Sequence, residues 1–257
     1  MPSFLKTWCK TDAYSVAGHR LQVLTENAGI RAAILPALDV AVKAHYDDPA
    51  RLAKRIEQWG FDAAARAFKE RLPQMNRAQS GHLGEILLTE TVPEMLPPFQ
   101  VPIKRLRWLD DRNMALRGED LLGVAQVGRM TRFLKAESKS RKSLSASVVQ
   151  QARTSLQQHD GRPSAHAMLF VADRLRELGE EALARLFEEH AHRRDMSVSQ
   201  LVHLSFGFSG NDSTKFFTDD LHGCGSEIEQ HAIGLVVEDH PDFIKAVYDR
   251  LSNATQP

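Results

Sequence analysis

Two carboxylates and a lysine fall at a spacing that could support metal-dependent hydrolysis of a phosphodiester. Asp120 stands directly before an apolar run, and Glu137 and Lys139 follow in a second run 17 residues later. Two carboxylates with water make an oxygen site that suits Mg²⁺, with Mn²⁺ as an alternative. Such a metal polarises a phosphate oxygen and lowers the pKa of bound water. A neighbouring lysine would orient that water or balance charge in the transition state.

A β-hairpin is the element that would bring these three side chains together. The runs 121–127 and 130–139 are separated only by Gly128-Arg129, which predicts two strands joined by a short turn. Counting outward from the turn places residue 120 opposite residue 137, and strand alternation puts Glu137 and Lys139 on one face. The alternative is an exposed strand end that carries an ordinary surface ion pair.

A helix over 78–91 offers a third carboxylate. Glu85 and Glu90 lie about 140° apart around a helix, so both cannot face one metal. Gly84, next to Glu85, permits close packing against the hairpin. We therefore expect Glu85 to face the metal and Glu90 to be a solvated charge at the helix end.

The rest of the chain predicts an α+β protein with a central sheet flanked by helices. Further helices are expected at 30–45, 51–59, 62–72, 143–158, 164–178, 180–191 and 241–251. Further strands are expected at 4–9, 20–25, 103–108, 201–208 and 232–238, with a polar loop at 209–220. We predict an N-terminal, mostly helical region over 1–76, packed on a core that spans 77–257 as one compact unit.

The charge pattern favours a DNA substrate. Between Gln100 and Ser145 there are 11 basic and five acidic residues, although the whole chain carries 33 of each. A basic patch of this kind suits phosphate binding, although part of it is expected to be an ordinary solvated surface. From Thr218 to Pro257 eight acidic residues face two basic ones, which could dock a basic partner or be plain solvated surface. The candidate DNA contacts are Arg129, Arg132, Lys135, Arg141 and Lys142.

Composition and missing motifs exclude several other classes. No run of about 18 apolar residues and no apolar signal segment occurs, so we expect a cytoplasmic protein. Cys9 and Cys224 lie far apart, which predicts free thiols. His190 and His192 would project from a helix about 200° apart, so they are not expected to share a metal. No G-x-S-x-G elbow supports serine hydrolase chemistry.

The arrangement resembles the PD-(D/E)xK nuclease superfamily. The matching positions are a helix glutamate, Glu85, then Asp120, Glu137 and Lys139. The resemblance implies a restriction-endonuclease-like core, a mixed sheet flanked by helices, with Mg²⁺ held by Glu85, Asp120 and Glu137. The proline that normally precedes the aspartate is replaced here by Glu119.

Three segments are similar to the HamA family, the nuclease subunits of the two-component Hachiman antiphage system. These are GHLGEILLTE at 81–90, LRGEDLLGV at 116–124 and FLKAESKSR at 133–141. The resemblance implies a partner, a superfamily 2 helicase of the HamB type, whose action on DNA controls the nuclease. Because the chain has no GxxxxGK[ST] motif, any ATPase must be a separate protein.

The leading hypothesis is therefore a Mg²⁺-dependent deoxyribonuclease subunit of an antiphage helicase–nuclease complex, restrained until the helicase acts on DNA. One alternative is a standalone restriction or repair endonuclease with the same core. The other is a non-catalytic scaffold of nuclease fold that binds a partner or DNA.

Overall fold

The computed structural model describes residues 4–114, 116–193 and 196–253, and over these ranges the chain is an α+β protein. Its six strands form a single mixed sheet. They are β1 Cys9–Val16, β2 His19–Glu26, β3 Leu121–Val127, β4 Met130–Arg141, β5 Leu201–Ser209 and β6 Glu229–Val236. The described α-helices are α1 Leu5–Trp8, α2 Arg31–Tyr46, α3 Pro49–Trp59, α4 Phe61–Lys69, α5 Asn76–Met95, α6 Ala146–Gln157, α7 Ala165–Glu177, α8 Glu181–Arg193, α9 Thr214–His222 and α10 His240–Asn253. Short 3₁₀ segments occupy Ala28–Ile30, Arg105–Trp108 and Val198–Gln200.

The sheet has the strand order β1-β2-β6-β5-β4-β3. Its four central strands run parallel, and β1 and β3 pair antiparallel with their neighbours at the two edges. Every residue of β5 is buried, as expected for a parallel strand that is covered by helices on both faces. The main apolar cluster contains residues from both sides of position 76, among them Trp8, Leu38, Leu87 and Phe206.

The predicted hairpin is confirmed as β3 and β4. Leu121 pairs with Ala136 and Val127 with Met130, and Gly128 turns the chain with a φ of 61°. β4 has 12 residues and β3 has seven, so positions 137–141 of β4 run past the start of β3. This leaves the far end of β4 with an open edge at the point where Asp120 enters β3.

The predicted helix carrying Glu85 is confirmed as α5, and Gly84 allows it to approach β4 closely. A Cβ atom at position 84 would lie 3.0 Å from Ser138 Oγ and 3.1 Å from Ser140 Cβ. These distances are shorter than ordinary van der Waals contacts, so a side chain at this position would have to displace its neighbours. The close packing fixes Glu85 beside the open end of the hairpin.

Three predicted elements were wrong. Segment 103–108 is not a strand; Arg105–Trp108 form a 3₁₀ turn. In this turn Arg105 donates a hydrogen bond to Glu85 and Arg107 donates one to Asp48. The predicted loop 209–220 contains most of α9. The segment is mostly polar, but Phe217 and Leu221, one helical turn apart, are buried. The predicted strand 4–9 is mostly the short helix α1, and strand β1 begins only at Cys9.

Among the described residues, no helix combines the length and apolar character needed to cross a membrane.

Candidate carboxylate–lysine site

A cavity of about 490 Å³ lies at the open end of the hairpin, between α5 and β4. Four residues predicted for the chemistry line it: Glu85, Asp120, Glu137 and Lys139. The remaining lining residues are Met75, Arg77, Ala78, Gly81, His82, Asn113, Ser138, Ser140 and Arg141. Residues that are distant in the sequence thus line the same cavity.

Asp120 is placed by the register of the hairpin. Because Leu121 pairs with Ala136, the preceding residue stands level with Glu137. Its Oδ2 accepts a hydrogen bond of 2.8 Å from the backbone N–H of Ser138, which has no partner from β3 at this height. Burial raises the pKa of Asp120 above its ordinary value, although the Ser138 hydrogen bond acts in the opposite direction.

Glu137 and Lys139 form an ion pair within the cavity. Lys139 Nζ lies 2.5 Å from Glu137 Oε1, and their side chains are only 20% and 13% exposed, respectively. Burial and the neighbouring charge of Asp120 raise the pKa of Glu137 to about 7, against the opposing effect of Lys139. Carboxylates that repel one another at neutral pH mark a place where an additional positive charge would be stabilising.

Glu85 faces the same cavity but is bound to Arg105. Arg105 donates a hydrogen bond of 3.2 Å to Glu85 Oε1 and another of 3.0 Å to the carbonyl oxygen of Arg117. Burial raises the pKa of Glu85 to about 7; Arg105 opposes this shift, whereas Asp120 and Glu137 reinforce it. Arg105 was not predicted as a partner of Glu85, because its alternating apolar and basic neighbours favoured a strand with a solvated basic face.

Glu90 is not the solvated charge that was predicted. His45 Nε2 lies 2.8 Å from its carboxylate, and Lys104 pairs with it as well. Burial acts to raise the pKa of Glu90, but the contacts with His45 and Lys104 lower it to about 2. Glu90 therefore stabilises the packing of α2 against α5, away from the cavity.

His82 lines the cavity and was not predicted from the sequence. Its Nδ1 lies 3.1 Å from the Tyr46 hydroxyl, which in turn lies 2.9 Å from the Tyr248 hydroxyl. Its Nε2 lies 3.4 Å from the carbonyl oxygen of Met114. Burial lowers the pKa of His82, which favours the neutral ring. His82 lies three residues before Glu85, which places both side chains on one helix face. This spacing could have predicted that His82 lies near the same cavity.

The predicted DNA-contacting cations are scattered. Arg141 and Lys142 are exposed next to the cavity, and Arg141 lines it. Arg129 lies in the hairpin turn, roughly 25 Å along the strand from Glu137 at about 3.3 Å per residue. Arg132 donates a hydrogen bond of 2.8 Å to Glu229, so its guanidinium is already engaged.

Lys135 was expected to contact DNA, and its burial excludes that role in this structure. It is only 2% exposed, and its Nζ donates hydrogen bonds to the carbonyl oxygens of Gln158 and Arg162 at 2.9 and 3.0 Å. Glu119, which precedes Asp120, lies 3.8 Å from the same ammonium group. Glu119 also accepts hydrogen bonds from the backbone N–H and hydroxyl of Ser164, so this network anchors the start of α7 to the hairpin.

Replacing Lys135 with methionine is expected to lower the free energy of unfolding by about 3 kcal/mol, because Glu119 and two carbonyl groups lose a buried partner. Urea denaturation measures this change. The matched control is Lys10→Met, at a lysine side chain that is 75% exposed, where a change within about 0.5 kcal/mol is expected. Unchanged stability together with weaker DNA binding would restore Lys135 as a DNA contact.

The described residues contain no ready-made group of three or more His, Cys, Asp or Glu side chains that could hold a metal ion. At the cavity, each carboxylate has a partner: Glu85 has Arg105, Asp120 has the Ser138 N–H and Glu137 has Lys139. Because the Ser138 N–H carries no charge, two cations face three carboxylates and offset only part of their negative charge. Each carboxylate has lone pairs on both oxygens, so a cation could bind beside these contacts or displace them.

Fold and site together define an α+β protein in which half-buried carboxylates and a lysine of the sheet share one cavity with a buried helix glutamate. A family model described as HamA matches residues 2–251, and the chain belongs to the HamA family. A curated relative, the Hachiman protein HamA of Bacillus cereus, is 23% identical over 177 residues. The match covers 69% of this chain but 62% of the relative, which is less than two thirds of that protein's length.

Proposed function

We propose that this chain is a metal-dependent deoxyribonuclease that acts in antiphage defence together with a helicase. The observation that carries the proposal is the convergence of Glu85, Asp120, Glu137 and Lys139 on one cavity. A helix glutamate, an aspartate at the start of a strand and a Glu-x-Lys pair on the next strand are the arrangement expected of a PD-(D/E)xK core. Membership of the HamA family and the Hachiman relative support the role in defence.

The donor set fits Mg²⁺. This ion commonly uses one or two carboxylates, keeps several waters and takes the rest of its ligands from substrate phosphate, so three protein ligands are not required. Asp120 and Glu137 would hold it, and Glu85 would complete or orient its shell. The pKa values of Glu85 and Glu137 are raised because the carboxylates lie close together and away from water. A divalent cation would reduce the repulsion between them.

In the proposed reaction the protein positions a phosphodiester and a water molecule at the floor of the cavity. When bound, Mg²⁺ supplies positive charge to the phosphate and lowers the pKa of water. Lys139 Nζ, released from Glu137, donates a hydrogen bond that orients the attacking water and offsets the negative charge of the transition state. Arg105 remains buried beside Glu85 and Asp120 and compensates part of their charge.

A scaffold without catalysis explains the site less well. Burying ionised carboxylates next to each other destabilises the folded state. The raised pKa values of Glu85 and Glu137 have this burial and repulsion as their cause. A binding module would be more stable with neutral side chains at these positions. The standalone endonuclease differs from the leading proposal only in its control, and experiment can distinguish them.

The test is co-expression of the full chain with the helicase encoded beside it, followed by DNA degradation assays in Mg²⁺ with and without ATP. The expected result is a stable complex that spares closed circular duplex DNA until ATP is supplied. Degradation by the chain alone, at the same rate, would favour the standalone endonuclease. No degradation of any DNA by the intact complex would contradict the nuclease proposal.

A further inference from the structure

The candidate catalytic groups lie at the floor of a recess rather than on an open face. Glu85 is 8% exposed, and the side chains of Glu137 and Lys139 are 13% and 20% exposed. The cavity of about 490 Å³ is at the small end of the range for ligand pockets, with room for a nucleotide-sized group but not for a duplex. A scissile phosphate must therefore enter the recess to reach these residues.

The walls of this recess are tied together across its mouth. Asn113 Oδ1 accepts hydrogen bonds from the backbone N–H groups of Gln74 and Met75, at 2.9 and 3.1 Å. Arg112 donates to both the carbonyl oxygen and the carboxylate of Glu70, at 3.1 and 2.9 Å. These contacts join the segment before α5 to the segment after the Arg105–Trp108 turn. Met75 and Asn113 line the cavity, whereas Arg112 and Glu70 line a neighbouring recess.

The rim of the mouth combines apolar and cationic side chains. Met75 lines the cavity, and Met114 lies beside it, with its carbonyl oxygen 3.4 Å from the cavity residue His82 and its side chain on an adjoining recess. They are 61% and 62% exposed, which makes them the two most exposed large hydrophobic side chains among the described residues. Arg77 and Arg141 line the cavity and are exposed, and the exposed Lys142 follows. Cations beside apolar surface suit a ligand that offers phosphates and flat apolar faces together.

An unpaired DNA strand has this chemistry, whereas a duplex hides the faces of its bases in the stack. We infer that the cavity takes a single unpaired DNA strand, with Met75 and Met114 contacting its bases and Arg77 and Arg141 its phosphates. This inference rests on the proposed nuclease function and names its substrate class. It assigns the two methionines a role in substrate choice, separate from the chemistry at the cavity floor.

The binding experiment uses the full chain carrying Glu137→Gln, which blocks cleavage in the presence of Mg²⁺. Fluorescence anisotropy compares a labelled single strand with the matching duplex. The single strand is expected to bind at least about tenfold more tightly, and Met75→Ala with Met114→Ala should remove most of this preference, since base contacts supply it. The matched control is Met130→Ala, at a methionine that is 45% exposed at the start of β4, beside the distant hairpin turn.

A cleavage experiment separates this inference from the proposed function. The wild-type chain with its helicase is given a forked DNA, and the cuts are mapped on the paired and unpaired arms. Cuts confined to unpaired DNA are expected. Equal cutting or equal binding of duplex would overturn the inference while leaving the nuclease proposal intact. If the methionine variants instead lose the helicase and keep the DNA preference, the rim is a protein interface and the inference is wrong.

Discussion

A chain carrying both Glu137→Ala and Lys139→Ala is expected to cleave DNA at least about 10³-fold more slowly than the wild type. Glu137 is a proposed metal ligand, and Lys139 is the group that orients the attacking water. The two side chains lie at a partly hydrated strand end and contact each other, so their joint removal leaves no isolated buried charge from this pair. Phage protection should be lost with the activity, and circular dichroism should show an unchanged fold.

The matched control for this double variant removes another lysine–carboxylate pair. Lys215 and Asp219 lie 2.6 Å apart on α9, with side chains 81% and 59% exposed. Lys215→Ala with Asp219→Ala should leave cleavage and protection at wild-type levels. A Glu137/Lys139 double variant that is folded and degrades DNA at the wild-type rate would show that the catalytic site has been assigned to the wrong residues.

Chelation of divalent metal is expected to stop DNA cleavage and also to lower the melting temperature at pH 8. The pKa of Glu85 and of Glu137 is about 7 in the metal-free fold, against an ordinary value of 4.5. Folding therefore raises the affinity of these carboxylates for protons, so the metal-free protein loses stability as the pH rises from 4.5 to about 7. Metal binding reverses this loss, because it favours the ionised carboxylates of the folded state.

The size of the effect follows from the binding equilibrium. Mg²⁺ at 100 times its dissociation constant would stabilise the fold by about 2.7 kcal/mol, or roughly 5–10 °C in melting temperature. At pH 5 the shift should largely disappear, because protons occupy the same carboxylates.

Differential scanning fluorimetry measures the melting temperature at both pH values. Glu137→Gln should reduce the shift, whereas Glu57→Gln, at an exposed position on α3, should not. Full cleavage in excess EDTA would contradict the metal-dependent mechanism.

Local sequence patterns were sufficient to predict the hairpin and its register. The two apolar runs around Gly128-Arg129 define both strands, and strand pairing then leaves no choice about which residue stands opposite Glu137. The phase of α5 was enough to separate two glutamates: Glu85 lines the cavity, whereas Glu90 pairs with His45 and Lys104. Each of these inferences depends only on the geometry of one element or of adjacent elements.

The buried ionic contacts could not be predicted in the same way. Lys135 has the sequence context of a surface residue on a strand, and its burial depends on carbonyl groups more than 20 positions away. Arg105 likewise finds Glu85 from a distance of 20 residues. Long side chains reach partners that only the packed tertiary structure brings near, so charge patterning along the chain overestimated the exposed basic surface.

Gly84 has a consequence for how the site can change by mutation. Glycine in a helix costs about 1 kcal/mol relative to alanine, so the residue is unfavourable for α5 itself. Its close approach to Ser138 and Ser140 means that one added methyl group would move the helix or the strand by a few tenths of an ångström. Catalytic groups must be held to within about 0.5 Å. Position 84 is therefore constrained by packing alone, although it has no side chain of its own.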